Sequence, residues 1–310
     1  MKNKNFALSI LAVFLLSSCT VLYTHRDMAG DPSTWGKYQI YRMWGNGWFK
    51  TNISNRNRNE QLADIRIDGE KILFVTTANT IEVMDRDGSN PVPIPNVPTD
   101  SAYPRWSMGN IPYFFVFAHP SSHAQTAIWR VNQDGTNLVQ VTHPSATQSD
   151  ETATIINDKE MIFSRYDSAN NQDRDLYLKY MWDNRPEVRL TNTPNISESL
   201  PVMSHDRTML AYRAFQSSAS DQIIVATVDR INGILTTIHT ISLRSPAAYN
   251  ISGIDFSKDD KQLFFSAQAN DVPGTLINRK QEIFRVNIDG TNQVRLTNNS
   301  DWDTSPSAVP

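Results

Sequence analysis

A polar or acidic side chain recurs at one position in six related segments of the sequence. In each segment it stands three or four residues before a proline, alanine or glycine that opens a short strand-like run. The set comprises Glu60, Asp100 (with Ser101 beside it), Asp150, Glu198, Asn250 and Asp303. If the segments surround an axis, four or five carboxylates gather at one end of it, where like charges raise one another's pKa or bind a cation. The sequence therefore predicts an acidic ring at a channel mouth, able to hold calcium or a basic peptide segment.

A structural role is the preferred interpretation of the acidic ring. Asp, Asn and Ser side chains commonly accept N–H hydrogen bonds within their own turns. The feature also belongs to the repeat itself, so it needs no ligand to explain it. Apart from calcium at this mouth, no cofactor is expected.

The sequence gives little support for catalysis. It has no Gly-x-Ser-x-Gly segment and no recognisable pairing of a nucleophile with a base. His119 and His123 have a spacing that suits a metal on a helix, but Pro120 between them favours a loop. A non-catalytic protein is therefore favoured over an enzyme, and the enzyme remains an alternative.

Two segments far apart in the chain are nearly the same. Ile128–Thr142 and Ile283–Thr297 are identical at ten of fifteen positions, including the run Asp-Gly-Thr-Asn. Weaker copies start at Ile81, Leu176 and Ile223, which gives a period of about 47 residues with one longer gap. Such a period indicates a repeat architecture.

Each repeat predicts four strands. An Asp-Gly or Asn-Gly corner between β-branched and aromatic runs indicates a hairpin, because glycine tolerates a positive φ. A second pair of strands precedes each hairpin, as in Leu62–Thr76 and Leu200–Ala214. Four strands in about 47 residues are typical of a propeller blade.

The repeat resembles that of TolB-type β-propellers. The shared pattern is Pro-x-[Trp/Phe/Met]-Ser, an Asp turn, an apolar strand, and then Ile-[Trp/Phe]-x-Val-Asn-x-Asp-Gly-Thr-Asn followed by Leu-Thr. The copies at Ile128 and Ile283 match well, whereas those at Leu176 and Ile223 depart at the corner. The resemblance covers residues 35–310 and implies an all-β propeller of four-stranded antiparallel blades that binds other cell-envelope proteins.

Six blades are expected. Five complete units start near Leu62, Tyr103, Glu151, Ser199 and Ile251. The segment Asp303–Pro310 begins a sixth, and Lys37–Ser54 offers two further strands to complete it. Propellers avoid exposed strand edges by closing in this way, so the terminal segments are predicted to share a blade.

The N-terminus has the layout of a bacterial lipoprotein signal. Lys2 and Lys4 precede the apolar run Phe6–Leu16, which is too short to span a bilayer. Leu16-Ser17-Ser18-Cys19 resembles a lipobox, and Cys19 is the single cysteine of the chain. We expect a signal peptide over residues 1–18, lipidation of Cys19 and a tether over 19–34. Thr20 in place of Asp favours the outer membrane by the same resemblance.

Charge and aromatic content bear on the partners. The formal net charge of −3 gives no broad basic surface for nucleic acid. The densest aromatic run, Trp35 to Phe49, is read either as a partner-binding patch or, preferably, as packing of the closing blade. The expected function is a lipid-anchored, monomeric propeller that binds envelope proteins in the periplasm. The alternative is a metal-dependent glycan-active or carbohydrate-binding propeller that uses its channel.

Overall fold

All the described elements are β-strands. The computed structural model describes residues 20–26, 36–98, 100–107, 113–118, 125–169, 173–182, 185–216, 221–243, 248–269 and 280–308. Cys19, His119 and His123 lie outside these residues. None of the described segments is a helix of the length and apolarity needed to cross a membrane.

The strands follow the predicted repeat closely. The first three are β1 (Thr20–Arg26), β2 (Tyr38–Trp44) and β3 (Thr51–Asn52). Blade I comprises β4 (Glu60–Ile65), β5 (Lys71–Thr76), β6 (Ile81–Asp85) and β7 (Val92–Pro93). Blade II comprises β8 (Ala102–Trp106), β9 (Tyr113–Ala118), β10 (Ala127–Asn132) and β11 (Val139–Gln140). Blade III comprises β12 (Gln148–Asn157), β13 (Glu160–Asp167), β14 (Arg174–Tyr180) and β15 (Val188–Arg189).

The second half of the chain continues the series. Blade IV comprises β16 (Ser197–Met203), β17 (Met209–Phe215), β18 (Gln222–Asp229) and β19 (Ile234–Ser242). Blade V comprises β20 (Ala248–Phe256), β21 (Gln262–Ala269), β22 (Lys280–Asn287) and β23 (Val294–Arg295). The last strand, β24 (Trp302–Ala308), joins the first three in the sheet order β24-β1-β2-β3, which we call the closing blade. The all-β prediction and the four-stranded antiparallel blade are confirmed.

The closing blade joins the two ends of the chain. Strand β1 pairs antiparallel with β24, from Val21 opposite Ala308 to Arg26 opposite Trp302. On its other side it pairs with β2, beginning with Thr20 opposite Trp44. Innermost strands of neighbouring blades contact one another around the whole ring, including β24 with β4.

The expected tether is wrong over Thr20–Arg26. These residues form β1, so the described β-structure includes residues before position 35. The cause is burial: Val21 and Tyr23 share a cluster with Phe264 of blade V, while Leu22 shares one with Phe74 of blade I. Residues 27–34 of the expected tether lie outside the described residues.

The Asp-Gly corners pack each blade on its predecessor. Gly88 and Gly135 have φ values of +89° and +80°. A Cβ on Gly88 would lie 1.8 Å from the carbonyl oxygen of Ile53, and one on Gly135 would lie 2.4 Å from that of Pro95. Any larger residue would strain the turn and clash with backbone. Glycine is therefore required at these two corners by the packing between blades.

Candidate functional site: the central channel

The channel is lined by one short segment from each innermost strand. Leu62, Tyr103, Leu200 and Ser305 have φ values of +47° to +55°, at or beside irregularities in strand pairing. Such bulges bend a strand and re-aim its side chains. The residue after each of these four lines the channel, and so does the equivalent residue of blades III and V. These channel residues are Ala63, Pro104, Ala153, Pro201, Gly253 and Pro306.

The middle of the channel is narrow. The cavity there is about 30 Å³. A Cβ on Gly253 would lie only 2.9 Å from the Cα of Ser305, so the neighbouring strand leaves no room for a larger residue. The small residues of the repeat thus let six strands meet around one axis.

Polar side chains join neighbouring blades beside the channel. The Asp64 carboxylate accepts a hydrogen bond from the Trp106 amide at 2.7 Å, and the Asp255 carboxylate accepts one from the Ala308 amide at 2.8 Å. The Thr154 hydroxyl accepts one from the Met203 amide at 2.9 Å. These bonds satisfy backbone N–H groups that a narrow, water-poor channel would otherwise leave unpaired.

One end of the channel is small and charged. Its cavity is about 70 Å³ and is lined partly by Asp64, Arg105, His205 and Asp255. Arg105 forms an ion pair with Asp64 at 2.8 Å. Burial raises the pKa of Asp255 to about 6, against the opposing effect of nearby Arg105 and His205. This end holds mutually compensating charges and little free space.

The other end, which we call the wide mouth, is much larger. Its cavity is about 520 Å³ and is lined partly by Tyr103, Arg174, Arg213 and Phe215. Arg174 pairs with Glu151 at 2.8 Å, and burial raises the pKa of Tyr103. The wide mouth therefore offers hydrogen-bond donors and acceptors together with an aromatic ring.

The structure places the predicted acidic ring inside separate blades. Glu60, Asp150, Glu198 and Asp303 are 0–3% exposed, whereas Asp100 and Asn250 are exposed. Glu60 accepts hydrogen bonds from Arg56 at 2.6 Å and from Arg58 at 2.7 Å.

The other buried members are also held within their blades. Asp150 binds Arg165 through two hydrogen bonds of 2.5 and 2.9 Å, and Asp303 bonds to His25 at 2.6 Å. In the described part of the chain no three His, Cys, Asp or Glu side chains are grouped to hold a metal ion. The pairing of these acids within their own blades supports the structural interpretation.

Glu198 differs from the other buried acids. It lies opposite Ala214, whereas Asp150 lies opposite Arg165 at the matching position of blade III. Its Oε2 atom has no hydrogen-bond partner among the described residues. Burial raises its pKa to about 7, with a smaller contribution from the charge of Asp175.

Sequence reasoning missed the polar residues of the channel itself. Asp64, Arg105 and Asp255 follow the small channel residues of their strands by one or two positions. A signal was present, because each of these charged residues stands close after the small residue of the repeat and beside an apolar or aromatic residue. Arg174 and Arg213 give no such signal, since charged residues at strand ends are common.

The comparisons with known proteins concern structure alone. No protein-family model and no curated protein matches the sequence. TolB from Acinetobacter baumannii is similar at a TM-score of 0.74 and 15% identity, over 94% of this chain and 67% of that one. The putative TolB from Agrobacterium tumefaciens is similar at a TM-score of 0.62 and 12% identity, over 95% of this chain and 99% of that one. An oligogalacturonate lyase from Vibrio parahaemolyticus is similar at a TM-score of 0.55 and 10% identity, over 84% of this chain and 71% of that one. At these identities the likeness shows the fold.

Proposed function

From the TolB-type β-propeller fold of this chain, we propose that the protein is a non-catalytic scaffold of the bacterial cell envelope. It binds other envelope proteins at the wide mouth of its channel. The observation that carries this proposal is the open cavity of about 520 Å³, lined by arginine, tyrosine, phenylalanine and small polar residues. Arg and aromatic residues are enriched where protein partners bind.

The same proposal includes the location of the protein. A lipid on Cys19 anchors a six-bladed ring, closed by both chain termini, to the periplasmic face of the outer membrane. The lipobox-like end of the leader supports the anchor. The pairing of β1 with both β24 and β2 supports the closed ring as the working unit.

Site-specific photocrosslinking in the envelope tests the mouth. A photoreactive amino acid replaces Phe215, which lines the wide mouth and is 37% exposed. The control carries it at Ile67, which is 38% exposed at the opposite end of the channel. We expect a discrete crosslinked envelope protein from position 215 alone, and its loss when Arg174→Glu is added, since Arg174 lines the same mouth and its pair with Glu151 is partly exposed. Equal crosslinking from both positions would contradict the proposal.

A second candidate is a glycan-active enzyme or carbohydrate-binding protein that uses the same channel. The likeness in fold to the oligogalacturonate lyase favours it over other enzymes. Elemental analysis of the purified protein separates the two functions. A transition metal present at one equivalent, removed by chelation together with glycan binding, would favour the enzyme.

A further inference from the structure

The hairpin between β2 and β3 exposes large aromatic side chains. Trp48 is 64% exposed and Phe49 is 59% exposed. The ring of Trp44 contacts that of Phe49, with centroids 4.1 Å apart. We call Trp44, Trp48 and Phe49 the aromatic tip. Adjacent exposed aromatics mark an interaction surface more often than isolated ones do.

The backbone holds the aromatic tip in this arrangement. Phe49 has a φ of +56°, which a bulky residue rarely adopts. Within the turn, the Trp44 amide donates to the Trp48 carbonyl at 2.8 Å, and the Gly47 amide donates to the Trp44 carbonyl at 2.7 Å. A strained backbone that exposes an aromatic ring favours a binding role for that ring over a role in packing the blade. The aromatic run therefore divides: Tyr41 packs against the core of the closing blade, whereas Trp48 and Phe49 do not.

The aromatic tip lies beside Thr20, the residue that directly follows Cys19 in the sequence. Thr20 is directly opposite Trp44 in the β1–β2 pair. Directly opposite residues of an antiparallel pair have Cα atoms about 5 Å apart. Cys19 precedes Thr20, so its Cα lies only about 3.8 Å further along the chain. A lipid on Cys19 would place the aromatic tip next to its acyl chains.

The charge of this region suits an anionic surface. Residues 36–59 contain five Lys and Arg residues and no Asp or Glu. Arg56 and Arg58 are paired with Glu60. Arg42 and Lys50 belong to the hairpin that carries the aromatic tip. Basic residues near a membrane are attracted to anionic lipids, and Trp side chains favour the headgroup region.

We propose that the aromatic tip inserts into the headgroup region of the bilayer that holds the Cys19 lipid. This inference rests in part on the proposed lipid anchor. The occupant of the patch is a phospholipid surface, because the neighbouring chain end, the aromatic residues and the basic residues all fit it. Insertion adds a second, interfacial attachment and turns the closing blade toward the membrane.

Fluorescence quenching by brominated lipids tests the insertion. The full chain is expressed with its own leader, purified and reconstituted in vesicles of phosphatidylethanolamine and phosphatidylglycerol with brominated acyl chains. We expect quenching of tryptophan fluorescence, and loss of most of it in Trp48→Ser. The matched control is Trp182→Ser, since Trp182 is 55% exposed on blade III. That variant should retain the quenching.

The outcomes separate this inference from the proposed anchor. The mass of the N-terminal peptide reports whether Cys19 carries acyl chains. Acylated Cys19 without Trp48-dependent quenching overturns the insertion and leaves the anchor standing. Trp48-dependent quenching without acylation overturns the proposed anchor but supports insertion of the aromatic tip into a phospholipid surface. Equal loss of quenching in Trp48→Ser and Trp182→Ser also overturns the insertion.

Discussion

Whether an arginine lies near a buried carboxylate decides what that carboxylate does to stability. A buried charge is costly unless it is paired and hydrogen-bonded. Glu60 and Asp150 have arginine partners, and Glu198 faces Ala214 instead. The same position in the repeat can therefore stabilise one blade and weaken another.

Removal of the arginine in blade III should destabilise the fold. Arg165→Met leaves Asp150, which is 0% exposed, without its cation. We expect a loss of about 3–5 kcal/mol in the free energy of unfolding, measured by urea denaturation. Adding Asp150→Asn to this variant should recover part of the loss. The control Arg86→Ala breaks an exposed pair with Glu70 at 3.6 Å and should cost less than about 1 kcal/mol. Equal effects in the two single variants would contradict the argument.

Glu198 should make the free energy of unfolding decrease as the pH rises. Its pKa in the folded protein is about 7, raised from 4.5, so folding favours the protonated form. The stabilisation is complete below about pH 4.5 and is lost as the pH rises toward 7. Glu198→Gln should therefore be more stable than the parent protein at pH 8, by up to about 3 kcal/mol, and near parity at pH 4.5.

The contrasting variant is Glu60→Gln. It weakens the bonds to two arginines, so it should destabilise the protein at pH 8, where Glu198→Gln stabilises it. Urea denaturation at both pH values measures the difference. A Glu198→Gln variant whose advantage does not depend on pH would show that Glu198 is not the titrating group.

At the scale of elements, the ring depends on β24. This strand pairs with β1 and contacts the innermost strands of blades I and V. Ser307 accepts a hydrogen bond from the Ile65 amide at 3.4 Å, and Asp303 bonds to His25 at 2.6 Å. Without β24, β1 would become an exposed edge and the buried faces of blades I and V would open to water.

Deletion of residues 303–310 should therefore destabilise the whole ring. We expect a loss of about 5 kcal/mol or more, which lowers Tm by roughly 10 °C or more in a chain of this size. Thermal unfolding followed by circular dichroism measures it. Deletion of residues 309–310 alone leaves β24 intact and should change Tm little. A similar small shift for both deletions would show that the ring does not depend on shared closure.

The sequence predicted the repeated elements well because their signals are local. Apolar strands and the small channel residues recur in every copy, and the Asp-Gly corner recurs in the copies at Ile81, Ile128 and Ile283. The seven residues of β1 carry no copy of the pattern, and their burial depends on partners such as Ala308 that lie far along the chain. The partners of the predicted acidic residues could not be read from the sequence for a related reason. Asp150 and Arg165 are fifteen positions apart and meet only when β12 pairs with β13.

At the scale of the molecule, β1 would couple the proposed lipid anchor to the orientation of the ring. Thr20 belongs to the sheet, so no long tether separates Cys19 from the closing blade. A short connection keeps the aromatic tip at a high effective concentration near the bilayer, and a long one lowers it. The channel axis would then take a restricted range of angles to the membrane.

Lengthening that connection should release the aromatic tip. A Gly/Ser linker of about 20 residues between Cys19 and Thr20 spans roughly 25 Å on average. We expect an unchanged Tm but weaker bromolipid quenching of Trp48, because the ring no longer lies against the lipid. The same linker after Pro310 lengthens the chain without changing the distance from anchor to tip, and should leave the quenching intact. If the Cys19 linker also leaves the quenching intact, the tip binds the bilayer by its own affinity and the short connection does not set the orientation.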